Sequence, residues 1–181
     1  MEFIKYTISI TFISIFTLLI ILSSIAHLQN RPTIEELKAV FVYNFLKFAE
    51  WPEEKENKHL NLCIIGKTPI SEYIKSLNKK RIQDKEIKVF EIKETEIKNI
   101  LQCQAIFLGE ISEQNKKKIL SKLKNKAILS ISDQKEFVKQ GGIIELLQEG
   151  NKLRFKVNFS LAQKSNLKIS SRLLRLAKEV L

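Results

Sequence analysis

The residues most open to a chemical interpretation are Gly66, Lys67 and Thr68, which follow the apolar run LCII. Gly-Lys-Thr after a strand is how a nucleotide-binding phosphate loop ends. That motif requires a further glycine five residues before Gly66, where this chain has Asn61. Pro69 also disturbs the helix start that should receive the phosphate. The sequence therefore favours a buried strand that ends in a turn.

Two cysteines, Cys63 and Cys103, are the other residues whose side chains could take part in chemistry. An isolated pair in an oxidising compartment favours a disulfide, which would stabilise the fold by about 3–4 kcal/mol. Zinc needs four ligands, and His27 and His59 have no ligand spacing relative to the cysteines. Two buried reduced thiols are the alternative.

The sequence has no recognisable catalytic or cofactor-binding motif. It contains no G-x-S-x-G, no H-E-x-x-H and no G-x-G-x-x-G. Gly141 and Gly142 follow a predicted helix rather than a strand, which is typical of a helix end. We therefore expect no enzyme, no metal site and no cofactor.

Residues 1–26 have the composition of a secretory signal peptide. Lys5 is followed by an uncharged apolar stretch from Ile8 to Ala26, and Ser24 and Ala26 suit a cleavage site. The stretch is close to the roughly 20 residues that span a bilayer, so an uncleaved N-terminal anchor is the alternative. Either interpretation places residues 27–181 outside the cytoplasm, as one domain.

The chain is strongly basic, with 31 Lys and Arg against 20 Asp and Glu. The lysines are spread along the sequence, without the dense basic run and interleaved aromatic residues that indicate nucleic-acid binding. We expect no nucleic-acid partner. Attraction to an anionic membrane or to an acidic protein face stays open.

The first predicted element of the domain is an amphipathic helix. Thr33 and Glu36 form a capping box ahead of it, and Pro52 ends it. Its apolar stripe consists of Ile34, Leu37, Phe41, Phe45 and Phe48, widened by Val40 and Ala49. The stripe predicts a core-facing helix, with a membrane-surface or partner-binding helix as the alternative.

The remaining pattern alternates strands with helices. Predicted strands cover 60–65, 86–92, 104–109 and 127–132, and predicted helical segments cover 69–78, 94–101 and 112–123. Asp133 is expected to cap another short helix, the turn EGN to join a hairpin of 143–147 and 152–159, and a last helix to cover 160–180. The prediction is an α/β fold: a mostly parallel sheet flanked by helices, with a C-terminal hairpin and helix.

Several stretches together resemble a known family. They are KAVFVYNFLKFAEWP (38–52), LCIIGKTPI (62–70), LQCQAIFLG (101–109) and GGIIELLQEGNKLRFKVNFSLAQKSNLKISSRLLRLAKEV (141–180). In this order, and behind a signal peptide, they resemble the YfiR family of periplasmic proteins over nearly all of the mature chain.

The resemblance implies a binding protein rather than an enzyme. Its members repress a membrane-bound diguanylate cyclase by binding the periplasmic sensory region of that enzyme, and so lower cyclic-di-GMP and biofilm formation. An outer-membrane lipoprotein of the YfiB type relieves the inhibition, and dimers are known. The competing hypothesis is a periplasmic domain that senses a small ligand and signals through another receptor, such as a histidine kinase.

The resemblance also bears on individual residues. Cys63 and Cys103 fall where the family has a strand cysteine and a pre-strand cysteine that can pair. The family's second cysteine pair has no counterpart after Cys103, which either puts the family's redox sensitivity in doubt here or concentrates it in one bridge. Exposed residues near the hairpin and last helix, Arg172 and Arg175, are our candidates for facing a partner, with ordinary solvated surface as the alternative.

Overall fold

The computed structural model describes residues 32–52 and 58–181. The chain divides into two compact units, Met1–Thr33 and Ile34–Leu181, and the second contains all the elements named below. The predicted signal peptide or anchor at 1–26, and the domain boundary at 27, lie outside the described residues. Within the described ranges, no helix has the length and apolar character needed to cross a bilayer.

The central feature is a sheet that has eight strands in the described part of the chain, in the order β10-β8-β7-β6-β5-β2-β4-β3. Its strands are β2 (His59–Ile65), β3 (Arg81–Ile82), β4 (Lys85–Ile92), β5 (Ala105–Leu108), β6 (Leu129–Ser132), β7 (Ile144–Glu149), β8 (Lys152–Val157) and β10 (Glu179–Val180). A separate two-stranded sheet pairs β1 (Ala49–Glu50) with β9 (Lys168–Ile169).

The five strands β4-β2-β5-β6-β7 are mutually parallel. Counted along the chain, their order is 2-1-3-4-5, which is the doubly wound order of flavodoxin-like folds. The hairpin β7–β8 and the short pair β3–β4 are antiparallel, and β10 returns parallel to β8. The predicted α/β fold with a mostly parallel sheet and a C-terminal hairpin is confirmed, and the short strand β10 lies outside the hairpin at that border of the sheet.

Five α-helices and one 3-10 helix are described around this sheet. They are α1 (Ile34–Phe48), α2 (Ser71–Lys75), the 3-10 helix (Glu94–Gln102), α3 (Glu113–Leu123), α4 (Phe159–Lys164) and α5 (Ser171–Leu176). Ser112 caps α3 as predicted, because its Oγ accepts a hydrogen bond from the backbone N–H of Asn115 at 3.2 Å.

Each face of the sheet carries its own apolar core. In β2, Leu60, Leu62 and Ile64 pack with α1, whereas Cys63 and Ile65 pack with the 3-10 helix and α3. A strand buried on both faces shows a continuous apolar run rather than alternation, which is why 60–65 was predictable.

Helix α1 packs on the first of these cores, as its stripe predicted. The fully enclosed positions are Ala39, Val42, Phe45 and Leu46. Val40, which we assigned to the apolar stripe, is instead 51% exposed. The buried stripe is therefore rotated relative to the predicted one, because contacts with β8 and α5 select the face.

No helix forms at 134–140, where the sequence predicted one capped by Asp133. Asp133 instead accepts a hydrogen bond from the Lys38 ammonium on α1 at 2.6 Å. Glu136 has a left-handed φ of 61°, and the buried Glu145 carboxylate accepts hydrogen bonds from the N–H groups of Glu136 and Val138. These turns replace a helical hydrogen-bond pattern with bonds to a side chain seven and nine residues away.

The predicted helix at 160–180 is also wrong in extent. The chain forms α4, then β9, then α5, then β10. Asn166 interrupts it with a φ of 58°, and Ser170 donates its backbone N–H to the carbonyl of Phe48 at 2.9 Å. Pairing with β1 and β8 therefore outweighs the local helical pattern.

Candidate functional site

The carboxyl edge of the sheet is where doubly wound folds usually bind ligands. Binding occurs at the switch point, between the two neighbouring strands whose connections leave in opposite directions. Here those strands are β2 and β5, and their carboxyl ends lead into Gly66 and Gly109. The Gly-Lys-Thr segment, which matches the end of a nucleotide-binding phosphate loop, therefore lies at this switch point.

The two loops at the switch point are joined by backbone hydrogen bonds. Lys67 donates its N–H to the carbonyl of Glu110 at 3.1 Å, and Glu110 donates its N–H to the carbonyl of Lys67 at 2.7 Å. The N–H of Gly109 is likewise bonded to the carbonyl of Ile65 at 2.8 Å. These N–H groups are therefore not available to a phosphate.

Glycine is required for this close approach. Gly66 has a φ of +82°, and a Cβ there would lie 2.7 Å from the carbonyl oxygen of Glu110. A Cβ on Gly109 would lie 2.5 Å from the carbonyl oxygen of Lys67. The two loops are consequently held in direct backbone contact at the switch point, and the interpretation of Gly66 as the end of a buried strand fits the structure.

The disulfide expected between Cys63 and Cys103 is present. Cys63 is in β2 and Cys103 precedes the adjacent strand β5, with 6.0 Å between their Cα atoms. Both cysteines are almost completely buried. The disulfide therefore links β2 covalently to the segment that enters β5, inside the second core.

Trp51 lies beside the disulfide at the amino edge of the sheet. Its indole Nε1–H donates to the carbonyl of Gln104 at 2.8 Å, and Gln104 follows Cys103 directly. Trp51, Pro52 and Cys103 together line a shallow cavity of about 260 Å³. The Trp-Pro segment after α1 is thus held against the start of β5.

Positive charge is concentrated at the C-terminus. Residues 150–181 contain one acidic residue, Glu179, against eight basic ones, so they hold +7 of the chain's formal +11. Lys156 pairs with Glu179 and Lys178 pairs with Glu149. Within the described ranges, the other six are exposed and have no carboxylate within ion-pair distance: Lys152, Arg154, Lys164, Lys168, Arg172 and Arg175.

Arg172 and Arg175 are placed together by α5. The Oγ of Ser170 caps this helix by accepting from the N–H of Arg172 at 3.2 Å, and Leu173 faces the core. Spacing of three residues brings the two arginines to one side of the helix. Leu176 lies four residues after Arg172 and is 67% exposed. The surface offers two unpaired guanidinium groups next to an exposed apolar side chain.

Two ion pairs attach β10 to the hairpin. Lys156 hydrogen-bonds Glu179 at 2.7 Å, which lowers the pKa of the Glu179 carboxyl and raises the pKa of Lys156. Contact with the Lys178 ammonium likewise lowers the pKa of Glu149. All four side chains remain solvated, so the pairs orient the C-terminal strand more than they stabilise the domain.

Sequence reasoning placed Arg172 and Arg175 near the hairpin but missed two features of this surface. The predicted helix at 160–180 did not anticipate the break at residues 165–170, which leaves Leu176 exposed at the end of the short helix α5. The second missed feature is the local excess of positive charge. The sequence of the last 32 residues is enough to show it, because these residues carry eight basic side chains and one acidic one.

A family model described as YfiR/HmsC-like matches residues 35–178 of the chain. Among solved structures, a conserved domain protein from Vibrio cholerae O1 biovar El Tor is similar with a TM-score of 0.55 and 11% identity, over 82% of this chain and 60% of that one. The ABC domain in complex with L-Trp from Streptococcus pneumonia has a TM-score of 0.49 and 11% identity, over 67% and 55%. No curated protein matches the chain.

Both solved structures are longer than the part that matches this chain. The chain spans less than two thirds of the length of either one. At 11% identity the Vibrio structure shows a shared fold alone, and the Streptococcus structure is too dissimilar to support an argument.

Proposed function

The chain belongs to the YfiR/HmsC-like family, and we propose that it is a periplasmic regulator that inhibits a membrane-bound diguanylate cyclase by binding the cyclase's periplasmic sensory region. The observation that carries the proposal is the family match, which runs from within the first helix to the residue before the last strand. Membership in this family supports a periplasmic regulator of a diguanylate cyclase.

Two features of the structure support a protein partner over a small ligand at the carboxyl edge. The backbone bonds between Lys67 and Glu110 occupy the switch point where a ligand-sensing version of this fold would bind its ligand. The exposed Leu176 of α5 and its two arginines, which have no ion-pair partner among the described residues, instead form a solvent-exposed surface. Arginine beside an exposed apolar residue is a common composition for a protein-binding patch.

We assign Arg172 and Arg175 to the partner-facing surface. An acidic patch on the cyclase's sensory region would complement them, which favours rapid encounter and correct orientation. Sequestration by an outer-membrane lipoprotein of the YfiB type would then compete for the regulator and relieve inhibition. A homodimer is part of the same proposal, since dimers are known in the family.

The test is the cellular level of cyclic-di-GMP in a strain that lacks the gene, compared with the same strain complemented by the full chain. We expect the level to rise in the deletion strain and to return on complementation. Complementation with residues 27–181 alone should fail, because that form would not be exported. No change across several growth conditions would refute the cyclase role and favour a ligand sensor that signals through another receptor.

A further inference from the structure

A second feature of the fold is a cleft at the amino edge of the sheet, opposite the closed switch point. It has a volume of about 380 Å³ and lies between α3, the approach to β7 and the end of α4. Ile128 and Ile143, which precede β6 and β7, form part of its floor. Cavities that bind small molecules are typically about 300–1,000 Å³. The cleft is therefore large enough for a small organic ligand.

One side of α3 faces this cleft. Lys117, Leu120, Ser121 and Lys124 line it, and their spacing of three, four and seven residues places them on a single side of a helix. The two lysines are about 10 Å apart along the helix axis. This side of α3 thus presents a cation at each end and an apolar group between them.

The two lysines of the cleft have no acidic partner in the described part of the chain. Lys116, next to Lys117, is nearly buried and bonds to Glu113 at 2.6 Å. No carboxylate among the described residues lies within ion-pair distance of Lys117 or Lys124, and no acidic residue lines the cleft. The cleft consequently has a net positive character that the protein itself does not neutralise.

The interior of the cleft combines apolar walls with buried hydroxyl groups. Leu123, Ile128 and Ile143 are buried, and Leu120 and Leu161 are partly exposed. Ser130 and Ser165 also line the cleft and are each 2% exposed.

These hydroxyl groups keep unused hydrogen-bonding capacity. The Oγ of Ser130 accepts from the N–H of Ile143 at 2.9 Å, which leaves its proton free to be donated. The side chain of Ser165 makes no hydrogen bond within the described ranges. Both hydroxyl groups can therefore bond to a polar atom of a ligand in the cleft.

We propose that this cleft binds a small organic anion with an apolar body, of the class of short aliphatic or aromatic carboxylates. The carboxylate would bind to Lys117 or Lys124, and the body would cover Leu120 and Leu161. A purely inorganic anion would leave the apolar wall exposed, and a neutral apolar molecule would leave both ammonium groups unused. The site is independent of the cyclase role and lies on different elements from Arg172 and Arg175.

The experiment is calorimetric titration of the purified full chain with hexanoate and phenylacetate, beside their neutral amides. We expect saturable binding of at least one carboxylate in the micromolar to millimolar range, at least tenfold tighter than its amide. Raising the salt concentration should weaken the binding, because the ammonium groups are solvent-accessible.

Matched variants locate the site. Lys117→Gln with Lys124→Gln should weaken carboxylate binding at least tenfold. Lys118→Gln with Lys122→Gln removes the same charge from exposed positions of α3 outside the cleft and should change affinity less than twofold. The proposal is overturned if neither carboxylate saturates, if the amides bind equally well, or if both variant pairs weaken binding alike.

Discussion

The backbones of Lys67 and Glu110 exchange two hydrogen bonds across the carboxyl edge of the sheet, at 3.1 and 2.7 Å. The residues belong to different loops and are brought together because β2 and β5 are neighbours. This bridge closes the position where doubly wound folds usually bind ligands. The surfaces that remain open to a partner or ligand include the exposed side of α5 and the cleft at the opposite edge of the sheet.

Gly109→Ala should destabilise the protein by about 2–4 kcal/mol, because its Cβ would collide with the carbonyl oxygen of Lys67. Urea unfolding of the purified protein measures the change. Gly150→Ala is the control: Gly150 has a φ of +57° and open space around its Cβ position, so we expect a cost of about 1 kcal/mol. Equal costs for the two variants would contradict a tight closure at the switch point.

Removing the disulfide with Cys63→Ala and Cys103→Ala should lower the free energy of unfolding by about 3–4 kcal/mol, a fall in Tm of about 10 °C. The bridge closes a loop with a sequence separation of 40, and its loss enlarges the unfolded ensemble. Thermal unfolding under oxidising conditions provides the measurement. Reductant should destabilise the wild type and leave the double variant unchanged, and an unaltered Tm in the variant would refute a structural role.

Glu179→Gln should reduce stability at neutral pH and have less effect in acid. The pKa of Glu179 lies below its ordinary value of 4.5 because Lys156 hydrogen-bonds its carboxylate. The ionised form therefore favours the folded chain above that ordinary value, and the contribution disappears as pH falls through the folded-state pKa.

Urea unfolding across a pH series tests this acid dependence. The difference between wild type and Glu179→Gln should shrink as the pH is lowered. In a Lys156→Met background the same substitution should show a weaker pH dependence, because the largest cause of the lowered Glu179 pKa is gone and only the charges of Lys139 and Lys178 remain. A difference that is constant with pH would contradict the ion pair.

Arg172→Glu with Arg175→Glu should weaken binding to the cyclase's sensory region at least tenfold, equivalent to about 1.4 kcal/mol, without lowering Tm. Both side chains are exposed and lack acidic partners within the described ranges. The two readouts are binding between the purified proteins and the cellular level of cyclic-di-GMP. The cyclic-di-GMP level should rise toward that of the strain that lacks the gene.

The control for charge alone is Lys118→Glu with Lys122→Glu, which changes the net charge equally on the exposed side of α3. We expect this variant to inhibit the cyclase normally. If the two pairs of substitutions act alike, the effect comes from net charge, and the assignment of α5 as the partner-facing surface is wrong.

Much of the fold was predictable because its elements are locally encoded. The apolar run at 60–65, the capped helix ending near Leu123 and the turn after Glu149 all appear where expected. The position of Arg172 and Arg175 on exposed surface was likewise predictable from residue type. Their freedom from acidic partners was not, because it depends on where Glu149 and Glu179 are held.

The sequence by itself determined the alternation of strands and helices, the family resemblance and the pair of cysteines, because periodicity, caps and residue types act over a few neighbouring positions. Only the tertiary structure decided that residues 165–170 interrupt the last helix, that α1 exposes Val40, and that Lys67 meets Glu110. Each of these depends on contacts between segments distant along the chain, whose packing and hydrogen bonds outweigh local preference.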